Sequence, residues 1–285
     1  MFIGTLINGI AYGMILFLIA CGFSLIFGVM GILNLAHGAL YMLGAYFGLT
    51  LAILGYKGYF LLAVLIGAFG AGLMGIFWER IFLSRLYKQL PEQVLLTLGL
   101  IYIFSNLVLW VYGPMAKMGT PPSFASGFVR IFGTVISTYR LFLILIGIFV
   151  AIGMYLFQEK TRYGAIIRAG LTDKEMTIAL GINYRLVSSL VFFLGAFMAG
   201  FAGFLGTPIV GALPTMSFDI LLLAVAVMVI GGMGYIEGAL LGAMMIGLID
   251  SFGKVYFPDF AMFTIYIAMI IILLVRPIGL LGRIR

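Results

Sequence analysis

Few side chains in this sequence are suited to chemistry, and six of the 25 charged ones fall in one stretch. Residues 161–185 read TRYGAIIRAGLTDKEMTIALGINYR, in a chain of 285 residues of which only 9% are charged. Other ionisable groups stand alone: His37 in NLAHG, Glu237 in GGMGYIEGA, and Asp219 and Asp250 near the ends of apolar runs. No nucleophile is paired with a base, and no His, Cys, Asp or Glu cluster has the spacing of a metal site. The pattern predicts neither an enzyme nor a metal centre.

The composition is that of an integral membrane protein. The chain is 64% hydrophobic, and its 9% of charged residues is too few to coat a water-soluble surface, for which roughly 25% is usual. Its apolar runs are continuous and about 20 residues long, which favours helices over the ten-residue alternating strands of a barrel. The first 56 residues hold no Lys, Arg, Asp or Glu, so the N-terminus is predicted to be a retained span rather than a signal peptide.

Nine apolar runs predict an all-α polytopic fold of about 8–9 transmembrane helices in a single domain, residues 1–285. The runs lie at 4–29, 31–55, 59–78, 93–112, 139–157, 188–207, 219–233, 235–252 and 260–276. The pair covering 219–252 is short for two full crossings. Two half-helices and one re-entrant hairpin are both compatible with it, with Gly231, Gly232 and Gly234 at the break. The segment 28–38 is also interrupted by glycine, and we find no clear inverted repeat.

Lys and Arg are unevenly divided between the loops. One set of loops holds Arg80, Arg85, Lys88, Lys160, Arg162, Arg168, Lys174, Arg185, Arg276, Arg283 and Arg285, and the opposite set holds Lys57, Lys117, Arg130, Arg140 and Lys254. Loops rich in Lys and Arg stay on the cytoplasmic side of a membrane. We therefore expect the N-terminus outside, the C-terminus inside, the charged stretch inside, and the long loop 113–138 outside.

The charged stretch has the pattern of a short amphipathic helix. Its T-x-x-E motif at 172–175 resembles a capping box, and Met176, Ala179 and Leu180 fall on one face. Gly181 stands where a helix is expected to end. A helix of about two turns is not stable alone, so it must dock. It is either a solvated or lipid-surface segment, or a helix that inserts into a groove on a cytoplasmic partner.

Here the sequence resembles a known family. The stretch RAGLTDKEMTIALGIN, 168–183, is similar to the cytoplasmic coupling loop of bacterial ABC importer permeases of the branched-chain amino acid class, the LivH type. The opening at 7–46, the region at 218–250 with GGMGYIEGALLGA, and the tail VRPIGLLGR at 275–283 resemble the same family. Residues 56–140 are only generically similar.

The resemblance implies a function and partners. The chain would be the permease subunit of a binding-protein-dependent ABC importer in the bacterial cytoplasmic (inner) membrane. It would translocate leucine, isoleucine or valine by alternating access, together with a LivM-like second permease, two ABC ATPase subunits and an extracytoplasmic binding protein. The sequence has no G-x-x-x-x-G-K-[ST] loop, so ATP is expected to be hydrolysed by the partner subunits and no cofactor to be bound by this chain.

The resemblance also assigns roles to residues. The coupling loop, 158–187, would dock on the ATPase through Arg168, Leu171, Asp173, Lys174, Glu175, Met176, Ala179, Leu180, Gly181 and Ile182. The translocation pathway would involve Asn34, His37, Gly38, Gly231, Gly232, Gly234 and Glu237, because polar groups at membrane depth mark pathways. His37 is alternatively a packing residue, and Glu237 a solvated one. Lys117 and Arg130 are either ordinary surface charges or a patch that docks the binding protein.

Other functions are compatible with the same elements. The cargo is alternatively urea, a short amide or an aromatic acid, since no residue pattern in the sequence identifies the substrate pocket. A stand-alone secondary transporter would show an intramembrane ion site or an inverted repeat. No chain of Asp, Glu and His residues crosses the predicted spans, which disfavours proton coupling.

Overall fold

A computed structural model describes residues 1–54, 59–87, 89–131, 133–172, 174–232, 234–276 and 279–281. These residues form eleven α-helices and one β-hairpin. The helices are α1 Phe2–Met30, α2 His37–Ile53, α3 Phe60–Ile81, α4 Leu90–Tyr112, α5 Thr138–Lys160, α6 Arg162–Thr172, α7 Lys174–Ala179, α8 Tyr184–Val210, α9 Met216–Gly231, α10 Ile236–Tyr256 and α11 Ala261–Val275, and the strands are β1 Phe128–Ile131 and β2 Thr134–Ser137.

The helix content agrees with a polytopic all-α membrane protein. Within the described residues, six helices are long and apolar enough to cross a membrane, namely α1, α3, α4, α5, α8 and α10. Three more apolar helices, α2, α9 and α11, are shorter. Each of the nine predicted runs therefore corresponds to a helix, while the basic stretch forms the additional α6 and α7.

The second predicted span begins later than expected. Residues 31–36 are irregular, and α2 starts only at His37, whereas the apolar run begins at residue 31. Gly31 has φ +65°, a conformation that ends α1 and that residues with a Cβ rarely adopt. The hydropathy pattern does not reveal this break, because the irregular residues are themselves mostly apolar. The prediction that 28–38 contains irregular backbone is confirmed.

Two helices, α1 and α8, form the centre of the bundle. In the most apolar part of α1, 83% of residues are buried, and in α8 67%, against 22% in α4 and in α5. The central helices touch backbone to backbone, because a Cβ on Gly22 would overlap the carbonyl oxygen of Gly195. Small residues are what allow such close approach between helices in lipid.

The contacts define two ends of the bundle. At the first, the "α7 end", the Tyr184 hydroxyl at the start of α8 donates to the carbonyl of Val29, 2.5 Å away near the end of α1. At the opposite "hairpin end", Phe2 packs on Phe252 of α10, with ring centroids 5.3 Å apart. The central helices α1 and α8 are thus antiparallel.

The helices are arranged as an inverted repeat that the sequence did not reveal. A long helix, a short helix and two outer helices occur in the same order twice, as α1–α4 and as α8–α11. Helix α3 packs along α8 as α10 packs along α1, and α1 runs opposite to α8. Each long helix ends at a glycine with positive φ, Gly31 at +65° and Gly211 at +78°. The two units share the order of their helices and the positions of these glycines, but no obvious pattern of residues.

The loop 113–138 contains a hairpin that we did not predict. Strands β1 and β2 pair antiparallel, with Phe128 opposite Ser137, and Gly133 in the turn has φ +78°. Lys117 pairs with Ala212 through two backbone hydrogen bonds of 2.9 and 2.8 Å. The loop is therefore ordered by backbone pairing as well as by its prolines, and four-residue strands are too short to give a clear alternating pattern.

Candidate functional site

The charged stretch folds as two helices rather than one. The Thr161 hydroxyl accepts a hydrogen bond from the Gly164 N–H at 3.0 Å and so caps α6. After α7, Gly181 adopts φ +81° and donates to the carbonyl of Ile178 at 2.9 Å, which ends the helix where glycine predicted it. Asn183 then caps α8 by accepting from the Leu186 N–H at 3.2 Å. The short helix α7 thus leads directly into a central helix.

Helix α7 presents an apolar surface away from the bundle. Met176 is 60% exposed, Ile178 48% and Leu180 73%, while Thr177 between them is buried. Ala179 is also exposed, so the predicted face of residues 176, 179 and 180 is accessible to solvent. Exposed apolar groups next to a polar stretch suit contact with a protein or with lipid headgroups.

The remaining predicted coupling residues differ in their surroundings. Ile182 is half-buried and packs against the core, so it faces the bundle rather than a partner. Arg168 pairs with Glu159 of α5 at 3.3 Å. Asp173 lies outside the described residues, as do the side chains of Leu171, Lys174 and Glu175, so their roles stay predictions.

The α1–α2 connection brings Asn34, His37 and Gly38 together. His37 is fully buried, with Nε2 3.0 Å from the carbonyl oxygen of Ile19 and its ring stacked on Phe23. The His37 N–H donates to the Asn34 carbonyl at 3.1 Å, which places both residues at the start of α2. A Cβ on Gly38 would overlap the carbonyl oxygen of Ser217.

The two side chains at this point are incompletely bonded. Among the described residues, neither Asn34 Nδ2 nor Asn34 Oδ1 has a hydrogen-bond partner, and His37 Nδ1 also has none. Both residues are 0% exposed. Buried amides normally find partners, because an unpaired one is costly.

The predicted break between α9 and α10 is confirmed, since α9 ends at Gly231 and α10 begins at Ile236. Gly232 has φ +103° and Gly234 has φ +89°, and the Gly234 N–H donates to Ser24 Oγ at 3.1 Å. A Cβ on Gly231 would overlap Gly238 O, so glycine lets the two helices meet. The tail covers this end of α9, since the Leu280 N–H donates to the Ile230 carbonyl at 2.8 Å.

The predicted pathway residues form two groups rather than one. The first group, Asn34, His37 and Gly38, lies beside Ile19 of α1, and the second lies beside Ser24 and Gly28 of α1. Ile19 and Gly28 are about 14 Å apart along a helix that rises 1.5 Å per residue. Glu237, in the first turn of α10, is exposed, which leaves the solvated interpretation open.

The two predicted docking cations lie on different segments of the hairpin end. Lys117 is fixed to the α8–α9 connection by its backbone pairing with Ala212. Arg130 is exposed on β1, where it is opposite Val135. A third basic residue, Arg140, donates to the Asn8 side chain of α1 and is thereby tied to the bundle.

Sequence reasoning missed a buried carboxyl group at the α7 end. Glu79, in the last turn of α3, is 1% exposed. Its Oε2 accepts from the Ser189 hydroxyl of α8 at 2.8 Å, and its Oε1 accepts from the Tyr87 hydroxyl. Burial and the neighbouring Glu79 raise the pKa of the Tyr87 phenol. The sequence did contain a signal, the acidic residue in WERI. It stands at the end of an apolar run beside Arg80, where the pattern predicts a solvated charge in a loop.

The site as a whole is that of a membrane transport protein without reactive chemistry. Among the described residues, no three His, Cys, Asp or Glu side chains come together to hold a metal ion. Polar groups are instead found at helix breaks inside an apolar bundle, and an amphipathic segment projects from one end. Broken helices and irregular backbone inside a bundle are features of membrane transporters.

Comparison with known proteins gives the family. Residues 5–273 match the model of the family described as "Branched-chain amino acid transport system / permease component", and the chain belongs to that family. It is therefore a multi-pass transport permease component rather than an enzyme.

Its curated relatives span nearly the whole chain. It is 30% identical over 299 residues to the high-affinity branched-chain amino acid transport system permease protein BraD of Pseudomonas aeruginosa, covering 99% of this chain and 96% of the relative. It is 28% identical over 303 residues to the permease protein LivH of Escherichia coli K12, with the same coverage. A probable LivH of Methanocaldococcus jannaschii is 28% identical over 301 residues, 96% of this chain and 91% of the relative. No solved structure matches the chain significantly.

Proposed function

We propose that this chain is the permease subunit of a binding-protein-dependent ABC importer that translocates branched-chain amino acids across a cytoplasmic membrane. The observation that carries the proposal is α7, a short helix on which Met176 and Ile178 are exposed. It is followed by exposed Leu180 and is joined through residues 180–183 to the central helix α8. The full-length relatives named as branched-chain amino acid permeases supply the cargo class.

In this proposal the chain is one domain with nine membrane helices, α1–α5 and α8–α11. The N-terminus is outside and the C-terminus inside. The described basic residues at the α7 end support this orientation, since Arg80, Lys160, Arg162 and Arg185 lie there with α6 and α7. The hairpin end then faces the binding protein, and Lys117 and Arg130 are available to it.

The coupling loop, 158–187, transmits movement from separate ATPase subunits. Closure of the ATPase pair displaces α7, and α8 follows because only residues 180–183 separate the two helices. Two facings of the permease that differ by a few kcal/mol can then exchange populations with nucleotide state. A second, LivM-like permease completes the pathway, and ATP binds to the partner subunits rather than to this chain.

The proposal predicts that a charge on the exposed face of α7 removes ATPase binding. Ala179→Glu places a carboxylate where an apolar cleft is expected, and a desolvated unpaired charge costs several kcal/mol. The variant should recover less than one tenth of the ATPase that copurifies with the wild-type permease. Ala116→Glu, a matched change at an exposed alanine of the hairpin end, should leave recovery unchanged. Normal ATPase recovery and uptake in Ala179→Glu would refute the docking role of α7.

A further inference from the structure

The inverted repeat brings the N-termini of its two short helices together inside the bundle. Gly38, in the first turn of α2, is in backbone contact with Ser217, in the first turn of α9, since a Cβ on Gly38 would overlap Ser217 O. His37 lies beside Ile19, 11 residues before the end of α1 at Met30, or about 16 Å at 1.5 Å per residue. The junction is therefore well inside the membrane part of the chain.

These helix starts have no side chain of their own to complete them. Neither α2 nor α9 has a side-chain cap among the described residues, although Gly38, Ala39 and Ser217 are buried. The first N–H groups of an α-helix have no acceptor within the helix, and the helix dipole makes that end positive. The first N–H of each helix donates to a loop carbonyl, His37 to Asn34 and Met216 to Leu213, both at 3.1 Å. The N–H groups of the next residues have no side-chain cap, so the two starts give one buried point a positive potential.

A second observation points to a ligand at the same place. Asn34 and His37 are 0% exposed, and Asn34 Nδ2, Asn34 Oδ1 and His37 Nδ1 have no partner among the described residues. The Asn34 carbonyl accepts the His37 N–H, so the unpaired amide belongs to the first turn of α2. A protein that keeps a buried amide unpaired in one conformation has a partner for it in another, or a bound molecule.

The neighbouring charge does not oppose an anion here. Asp219 is in the first turn of α9, but it is exposed, whereas Ser217 is buried and bonded to Ser105 Oγ at 2.7 Å. Residues two apart on a helix do not share a face. The described residues of α9 that contact α2 therefore include no acidic side chain.

From this geometry we infer that the junction of α2 and α9 is a carboxylate-binding site, at which Asn34 Nδ2 and the first-turn N–H groups of α2 hold the carboxylate of the cargo in transit. His37 donates through Nε2 to the Ile19 carbonyl and so fixes the start of α2. The inference rests on the proposed function for the identity of the cargo as an amino acid. The site is closed in this conformation and opens as the two repeats move relative to each other. Weak binding suffices, because release on the other side requires it.

The first test uses the full chain, purified in detergent, and its thermal unfolding midpoint. Sodium isovalerate, a branched carboxylate without an amine, should raise the midpoint by several degrees at tens of millimolar, by binding to the folded state. Sodium chloride and isoamylamine hydrochloride at equal ionic strength should not. An equal shift with chloride would mean a general anion effect, and no shift with isovalerate would mean that the amide holds only water. Either result overturns the inference.

The second test uses Asn34→Leu, which replaces the unpaired amide by an apolar side chain of similar size. Because the amide is unpaired, the unliganded midpoint should stay or rise, while the isovalerate shift is lost and ATP-driven leucine uptake by the reconstituted importer falls at least tenfold. Gln93→Leu is the matched control, since the NH2 group of this buried amide donates to Leu86 O at 2.8 Å, while its Oε1 has no partner among the described residues. It should lower the midpoint and keep the isovalerate shift.

The outcomes separate this site from the function. If the wild-type importer takes up no amino acid while the isovalerate shift depends on Asn34, the cargo assignment fails and the site remains. If the wild-type importer takes up leucine, but Asn34→Leu keeps uptake within twofold and retains the isovalerate shift, the site is wrong and the function remains.

Discussion

At the scale of single residues, the buried carboxyl of Glu79 links α3 to α8, the helix that follows α7. It joins the end of α3 to Ser189 of α8 and to Tyr87 of the following loop. Ser189 lies ten residues after Ala179, the last residue of α7. In the proposed mechanism, displacement of α7 would therefore pass from α8 to α3 through side-chain hydrogen bonds as well as through packing.

Removing this acceptor should destabilise the chain. Glu79→Leu removes the acceptor of the buried Ser189 hydroxyl and of the half-buried Tyr87 hydroxyl, at about 1–3 kcal/mol for the buried group and less for the other. Glu79→Gln, which keeps one side-chain oxygen, should fall between Leu and wild type. The free energy of unfolding in detergent checks this order. Glu92→Leu, at an exposed acid in the first turn of α4, should change stability by less than about 1 kcal/mol. Equal effects at positions 79 and 92 would contradict it.

Residue types at breaks were predictable, but their bonding was not. Asn34, His37 and Gly38 stand out in the sequence as polar or small residues in an apolar run. The structure places them together at the start of α2. No local pattern indicates that Asn34 is buried with its amide unpaired among the described residues. Glu79 is a second such case, since its burial follows from the approach of α8 and no local pattern encodes it.

At the scale of elements, hydropathy located the helices because a membrane requires long apolar runs with internally bonded backbone. It failed where an apolar segment is not helical, at residues 31–36, and where short strands pair, at β1 and β2. The end of α7 was predictable because Gly181 can adopt φ +81° without strain. The existence of α6 as a separate helix was not predicted, since its residues were read as one loop with α7.

The contact between the central helices depends on glycine. A Cβ on Gly22 would overlap the backbone oxygen of Gly195, which no side-chain rotation relieves, so Gly22→Ala should cost about 1–3 kcal/mol. Gly153 of α5 has nothing within 4 Å of a Cβ, so Gly153→Ala should be neutral or stabilise by at most about 1 kcal/mol. Thermal unfolding of both variants in detergent measures the difference. Loss of stability at Gly153 as large as at Gly22 would show that packing at the centre is not the cause.

At the scale of the whole molecule, the inverted repeat explains how one chain can offer a site to either side of a membrane. Two units of opposite direction meet at the junction of α2 and α9, so in the proposed mechanism a rocking of one against the other would expose that junction to each side of the membrane in turn. An inverted repeat is also found in secondary transporters, so the repeat alone does not distinguish the two classes. The two classes differ in their source of energy. The described residues include α7, which suits docking of an ATPase, but no cluster of acidic and histidine side chains that would suit ion coupling.

The last prediction follows from that difference. In sealed vesicles, the purified chain alone should not accumulate leucine against its gradient, with or without a proton or sodium gradient. The described residues hold no cluster of acidic and histidine side chains that could link ion movement to a change of conformation. With its partner permease, both ATPases, the binding protein and ATP, the vesicles should accumulate leucine, and urea should be excluded by the recognition of a carboxylate. Radiolabelled uptake measures both. Uphill transport by the chain alone without nucleotide would assign it to the secondary carriers, and accumulation of urea by the full assembly would instead reassign its cargo.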